Sequence, residues 1–136
     1  MQKKFYRNLF ICLTCLLLAS CGRTEGEEEN QMAYKQITMA EAKALMTEAE
    51  NYIILDVRTR VEFDEGHIPG AICVPNETIA GEKPEELPDT EQLILVYCRS
   101  GNRSKQAAQK LAELGYTNIK EFGGINGWDG DIEKNS

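Results

Sequence analysis

The sequence has one histidine and one tryptophan among 136 residues, and its 15 basic residues are outnumbered by 22 acidic ones. A single histidine excludes a metal site built from several imidazoles. The formal charge is -7, whereas a nucleic-acid-binding protein needs a basic face, so this balance argues against a DNA or RNA partner. Internal repeats and long low-complexity tracts are also missing. What is present, 42% hydrophobic and 27% charged residues, is typical of one globular domain.

The N-terminal hydrophobic run, Leu9 to Ala19, is too short to be a comfortable membrane-spanning helix. It follows a positively charged start, and together they are typical of a secretory signal at residues 1–20. The run ends in Leu18-Ala19-Ser20-Cys21-Gly22, which resembles the processing box of bacterial lipoproteins. The resemblance implies that Cys21 receives a diacylglycerol and anchors the protein in the bacterial cell envelope, facing the periplasm. An ordinary cleaved signal or an uncleaved anchor is the alternative.

The five cysteines do not form a disulfide framework of the small secreted type. Cys12 and Cys15 lie in the predicted signal, where their C-x-x-C spacing offers no redox site. Cys21 is the predicted lipidation site. Cys73 and Cys98 therefore remain as the free thiols of a domain that is large enough to build its core without disulfides.

The rest of the chain alternates between helical and buried-strand patterns. Residues 21–35 are polar and acidic and predict a flexible tether, and residues 36–136 predict the folded domain. Thr38 and Glu41 have the capping-box spacing of a helix start. The other predicted elements are strands at 52–57, 71–74, 93–97 and 118–122, a surface loop with one helical turn at 76–90, and a helix from Ser104 to Gly115. This order predicts an α/β domain with a mainly parallel sheet.

One cysteine stands between a buried strand and the following helix, in the loop Cys98-Arg99-Ser100-Gly101-Asn102-Arg103. Ligands of open parallel sheets bind beyond the carboxyl ends of the strands. Here backbone N–H groups, the helix dipole and the charges of Arg99 and Arg103 all favour the thiolate, which is the nucleophilic form of cysteine. Gly101 permits the turn. The sequence therefore predicts a nucleophilic Cys98 in an anion-binding cradle.

Three separated segments, with this loop as the second, resemble a single-domain rhodanese, a type of sulfurtransferase. The first runs from Leu55-Asp56-Val57-Arg58 through Glu62-Phe63 to Gly66-His67-Ile68-Pro69-Gly70-Ala71, and the third is Phe122-Gly123-Gly124-Ile125 with Trp128. The resemblance covers nearly the whole predicted domain. It implies a five-stranded, mostly parallel sheet with helices on both faces.

The resemblance also implies sulfur transfer by covalent catalysis. The Cys98 thiolate would attack the outer sulfur of a small anionic donor such as thiosulfate, sulfite would leave, and a thiol or cyanide would take the sulfur from the persulfide. Arg99 and Arg103 are the candidates for holding the donor, with Ser100, Gly101 and Asn102 completing the loop. Arginine directly after the cysteine resembles thiosulfate-type members, since mercaptopyruvate-type members usually carry glycine there. No metal or organic cofactor is needed.

The other polar residues of the matching segments are interpreted as structural support. Asp56, Arg58 and Glu62 are expected to form helix-capping and ion-pair contacts that brace the site. His67 is assigned to a turn rather than to base catalysis. Cys73 is interpreted as an inert core thiol.

Three alternatives stay open on the sequence alone. A redox protein could use Cys98 with Cys73 or with a partner thiol, although the predicted domain has no C-x-x-C motif. A non-catalytic binding module is the second, although such modules typically lose the cysteine. The third is a phosphatase, but phosphatases of this fold carry a longer Cys-x5-Arg loop, whereas here Arg103 is the fifth residue after the cysteine and the sixth is Ser104. The sequence is compatible with a monomer.

Overall fold

The computed structural model describes residues 33–136. The predicted signal, the predicted lipidation site Cys21 and most of the predicted tether lie outside the described residues. Between residues 33 and 136, no helix has both the length and the apolar character needed to cross a membrane.

Five strands and three helices build the part of the chain that the structure describes. The strands are β1 (Lys35–Gln36), β2 (Tyr52–Asp56), β3 (Ile72–Cys73), β4 (Leu93–Cys98) and β5 (Ile119–Gly124). The helices are α1 (Met39–Glu48), α2 (Arg60–Glu65) and α3 (Asn102–Glu113), and short 3-10 turns follow at Asn76–Thr78 and Ile125–Gly127. All strand pairs are parallel, in the order β1-β5-β4-β2-β3. The predicted fold class is confirmed.

The two faces of the sheet carry separate apolar clusters because successive strand side chains point to opposite sides. On one face, Ala42 of α1 packs with Leu95, Tyr97 and Phe122. On the other face, α3 packs on a cluster that contains Val96, Cys98 and Ile119. The last residue of β4 therefore points its sulfur toward α3.

The predicted start of α1 is confirmed in detail. The Thr38 side chain accepts a hydrogen bond from the Glu41 amide (3.2 Å), and the Glu41 carboxylate accepts one from the Thr38 amide (2.7 Å). The same reciprocal arrangement joins Thr59 and Glu62 at the start of α2. Helix α2 was not predicted from the sequence, because its six residues are too few to show a helical period.

Two further differences concern β1 and α3. Strand β1 has only two residues, both exposed, and it is a strand because it pairs with β5. No local sequence pattern predicts this pairing. It includes Lys35, the last residue of the predicted tether. Helix α3 begins at Asn102, two residues before the predicted start, because Gly101 at φ +107° turns the chain directly into the helix.

Candidate functional site

Cys98 is the last residue of β4, the central strand of the sheet, and its side chain is fully buried. Only Arg99, Ser100 and Gly101 separate it from the first turn of α3. The sulfur thus lies at the carboxyl edge of a parallel sheet and against a helix N-terminus, where backbone N–H groups and the helix dipole stabilise negative charge.

The loop and the helix surround the sulfur with hydrogen-bonding groups. The Gly101 amide donates to Cys98 Sγ at 3.0 Å, and the Ser104 hydroxyl lies 3.5 Å from it. Burial opposes ionisation, but hydrogen bonds from the Ser104 side chain and from the amides of Ser104, Gly101 and Ser100 outweigh it and lower the pKa of the Cys98 thiol. The structure thus forms a cradle for the thiolate at the predicted loop.

Arg103 is bound by a carboxylate. Its guanidinium donates two hydrogen bonds to Glu62, at 2.7 and 2.9 Å, and so ties α3 to α2. These hydrogen bonds are the largest cause that lowers the pKa of Glu62 to about 2, and hydrogen bonds with Thr59 add to it. The Glu62 hydrogen bonds also raise the pKa of Arg103, and attraction to the Cys98 sulfur adds to this effect, which agrees with the expected influence of Arg103 on the thiolate. Hydrogen bonds rather than either arginine are the leading causes of the lowered Cys98 pKa.

Arg99 is the exposed arginine of the loop, and it forms none of the ion pairs found between residues 33 and 136. It lines a cleft of roughly 320 Å³ together with Arg58, Glu62, Asn126 and Ile132, among others. Ser100 and Asn102 are also exposed, and Asn102 is the first residue of α3. Arg99 is therefore the loop cation that an incoming anion can reach.

The close approach of β5 to the loop explains why position 124, in the third of the segments that resemble a rhodanese, is glycine. Cys98 pairs with Gly124 after a register shift in the β4–β5 ladder. A Cβ added to Gly124 would lie 2.1 Å from the Arg99 carbonyl oxygen, so only glycine fits here. The Arg99 carbonyl also accepts a hydrogen bond from the Asn126 amide at 3.2 Å.

Asp56 and Arg58 form a buried ion pair beside the site, with 2.6 Å between Arg58 Nη2 and Asp56 Oδ2. The same nitrogen donates to the Gly66 carbonyl oxygen at 2.7 Å. The His67 ring stacks on Phe63, with 3.7 Å between ring centroids, and its Nδ1 lies 2.8 Å from the Phe63 carbonyl oxygen. These contacts hold the turn that follows α2 and leave the imidazole away from the sulfur.

Cys73 lies buried on the far side of β2. Burial raises the pKa of its thiol to about 11, which keeps it protonated near neutral pH. Asp56 pairs with Cys73 on one side and with Tyr97 on the other, so two strand spacings, about 10 Å, separate β3 from β4 here. Disulfides need Cα atoms within about 7 Å. A Cys73–Cys98 disulfide, which the sequence left open, would therefore require the sheet to come apart.

Two polar residues of the site were not singled out from the sequence. Ser104 is fully buried, and Glu121 is 2% exposed. Their side chains meet at 2.5 Å between Ser104 Oγ and Glu121 Oε1. The strand pattern could have indicated this position, because Glu121 is two residues from Ile119 in β5 and therefore points to the same face, the one that α3 covers.

Comparisons with known proteins agree with this fold. Residues 38–131 match the family model of the rhodanese-like domain. The chain is 35% identical over 77 residues to thiosulfate sulfurtransferase PspE of Escherichia coli K12, which covers 57% of this chain and 72% of that protein. A rhodanese-like domain protein from Staphylococcus aureus superimposes with a TM-score of 0.64 at 31% identity, covering 75% of this chain and 99% of that one.

One of the relatives is much longer than this chain. The chain is 30% identical over 124 residues to adenylyltransferase and sulfurtransferase UBA4 of Lodderomyces elongisporus, which covers 83% of this chain but only 27% of that protein. The chain therefore spans about a quarter of that relative's length. Since the family model covers most of the sequence and the fold agrees, the chain belongs to the rhodanese-like domain family, whose relatives here include sulfurtransferases.

Proposed function

We propose that this protein is a thiosulfate-type sulfurtransferase in which Cys98 carries the transferred sulfur as a persulfide. The observation that carries the proposal is the cradle: a buried sulfur at a strand end accepts a hydrogen bond from the Gly101 amide and lies against the α3 N-terminus. Such a site stabilises an anionic sulfur. The name of the Escherichia coli relative supports thiosulfate as the donor class.

The reaction has two steps, each balanced in atoms and charge. The Cys98 thiolate attacks the outer sulfur of thiosulfate, the S–S bond of thiosulfate breaks, and sulfite leaves with that bonding pair. The Cys98 persulfide anion remains. An acceptor thiolate or cyanide then attacks the terminal sulfur, and the Cys98 thiolate leaves, ready for another cycle.

The residues around the sulfur have separate roles in this proposal. The amides of Ser100, Gly101 and Ser104 stabilise the charge on sulfur before and after transfer. Arg99 attracts and holds the sulfonate end of the donor from the cleft. Arg103, whose guanidinium is bound by Glu62, holds the first turn of α3 against α2.

The direct test is thiocyanate formation from thiosulfate and cyanide by the purified full-length protein beside Cys98→Ser. We expect turnover with ping-pong kinetics in the first and none in the second. If the two proteins form thiocyanate equally, the proposal is wrong. If the intact protein carries no persulfide but Cys98 is found in a mixed disulfide, the redox alternative with a partner thiol replaces it.

We also propose that the protein works in the bacterial cell envelope, anchored through a lipid on Cys21 and facing the periplasm. The proposal rests on the charged start, the short apolar run and the processing-box resemblance in the sequence. Cys21→Ala should abolish labelling by a fatty-acid analogue. Unchanged labelling in Cys21→Ala contradicts the anchor.

A further inference from the structure

A buried serine and a buried carboxylate lie directly behind the Cys98 sulfur. Ser104 Oγ is 3.5 Å from Cys98 Sγ and 2.5 Å from Glu121 Oε1. The same carboxylate oxygen accepts a hydrogen bond from the Gly123 amide at 2.8 Å. Burying a carboxylate costs free energy, and placing it near a sulfur that must become an anion adds to that cost. The sulfurtransferase mechanism described above does not use Glu121.

The Ser104 hydroxyl has one hydrogen and several acceptors within reach. Two of them can be anions, Cys98 Sγ and Glu121 Oε1, and the others are the carbonyl oxygens of Gly101 at 2.9 Å and Gly123 at 3.3 Å. With a thiol at Cys98, the thiol donates to Ser104 Oγ and Ser104 donates to the Glu121 carboxylate. With a thiolate, Ser104 donates to the sulfur instead. When both Cys98 and Glu121 are charged, one of them loses the Ser104 hydrogen bond.

We propose that Glu121 is a positioning residue that acts on Cys98 through Ser104, because the sulfur and the carboxylate compete for the single hydroxyl hydrogen. When Cys98 ionises, its S–H bond breaks and the proton passes to solvent. The Ser104 hydroxyl turns its hydrogen from Glu121 Oε1 to Cys98 Sγ, and no O–H bond breaks. No electron transfer is involved. The role rests on Cys98 being the nucleophile of the proposed reaction.

A fully buried cysteine is sensitive to a neighbouring buried carboxylate. The chain's one histidine has its polar contacts with Phe63 and Glu133, so it does not serve the sulfur. Glu121 reaches the sulfur through a single hydroxyl. Its carboxylate therefore holds the Cys98 thiol protonated to a higher pH than a neutral side chain would.

Other charged groups also lie near the sulfur, and a test must separate their effect on the Cys98 pKa from that of Glu121. They are Arg99 on the loop, the Arg103–Glu62 pair between α3 and α2, and the Asp56–Arg58 pair at the end of β2. Helix α1 packs on the opposite face of the sheet. None of these groups changes when Glu121 becomes glutamine, which has nearly the same shape.

The test is the pH dependence of Cys98 alkylation by iodoacetamide in the full-length protein, read on the Cys98 peptide by mass spectrometry. Glu121→Gln should lower the apparent pKa of Cys98 by about one unit, because the amide neither repels the thiolate nor competes as an anion for the Ser104 hydrogen. Glu113→Gln, an exposed carboxylate of α3, should leave the profile unchanged. In a Ser104→Ala background, the effect of Glu121→Gln should fall to less than half.

An unchanged or raised apparent pKa in Glu121→Gln overturns the proposal. An equal shift with and without the Ser104 hydroxyl also overturns it, because charge alone would then account for the effect. The alkylation readout needs no sulfur transfer, so an inactive protein would refute the proposed function and still leave this test decisive.

If Glu121→Gln does not fold, the coupling between Glu121 and Cys98 can be measured in the unsubstituted protein instead. The carboxyl carbon of Glu121 should show a step in its NMR chemical shift at the pH where Cys98 becomes reactive. The step should vanish in Cys98→Ala. If the Glu121 signal is the same in both proteins at every pH, the two groups are not coupled and the proposal is wrong.

Discussion

Arg103 and Glu62 join α3 to α2 through two hydrogen bonds of 2.7 and 2.9 Å. This bidentate pair fixes the first turn of α3, from which the Cys98 cradle receives its hydrogen bonds. Because Glu62 also caps α2 through Thr59, one carboxylate organises two helix starts. The pair therefore contributes to stability and to the geometry of the site together.

Glu62→Gln should lower the free energy of unfolding by about 1.5 kcal/mol at neutral pH, since it removes charge-assisted hydrogen bonds. The pKa of Glu62 in the folded protein is about 2, below its ordinary value, so its contribution is complete above the unfolded-state pKa of about 4.3. That contribution is lost as the pH falls toward about 2.

Denaturant unfolding from pH 7 down to about pH 2 measures this difference. The gap between the original protein and Glu62→Gln should close over the acidic range. Glu65→Gln, an exposed carboxylate on the same helix, is the matched control and should change the free energy of unfolding little. A gap that stays constant across the titration would contradict the role of the ionised Glu62.

Arg99→Ala should raise KM for thiosulfate about tenfold, which corresponds to the loss of one exposed charge-assisted contact. Its effect should shrink as salt is added, because salt screens exposed charges. The rate of Cys98 alkylation by neutral iodoacetamide should change little. Steady-state kinetics at two ionic strengths measure the effect.

Lys105→Ala removes the same charge from an exposed position on α3 and serves as the control for Arg99→Ala. Equal effects of the two substitutions would show that only the net charge matters, and Arg99 would lose its assigned role. An unchanged KM in Arg99→Ala would have the same consequence.

Gly124→Ala should disrupt the cradle, because the added Cβ would lie 2.1 Å from the Arg99 carbonyl oxygen. We expect a clear loss of thermal stability, because the loop must move until the new methyl group and the Arg99 carbonyl oxygen are at an ordinary contact distance. In the fraction of the variant that folds, activity should fall at least tenfold, because the cradle is displaced. Gly127→Ala is the matched control, because its added Cβ meets only Met39 Cε, at 3.7 Å. Equal thermal unfolding of the two variants would contradict this account of the loop.

The parts of the fold that could be predicted from the sequence are those encoded by local patterns. A few consecutive residues are enough to recognise the apolar runs of β2 and β4 and the capping box at Thr38. Strand β1 could not be found that way, because two exposed residues become a strand only by pairing with β5.

The same distinction holds within the site. Cys98, the loop glycine and the helix start are consecutive in the sequence, so their setting could be predicted. The partner of Arg103 is 41 positions away, and Glu121 is 17 positions from Ser104. Several carboxylates could have met each of them, and only the packing of α2, α3 and β5 decides which ones do.

The decisive measurement is mass spectrometry of the intact protein after incubation with thiosulfate and no acceptor, with released sulfite measured in parallel. If Cys98 carries the transferred sulfur, the Cys98 peptide gains one sulfur atom, one sulfite is released per protein, and cyanide removes that sulfur. Cys73→Ala should behave in the same way, and Cys98→Ser should gain nothing. Sulfur on Cys73, or turnover without any sulfur on Cys98, would show that Cys98 is not the carrier.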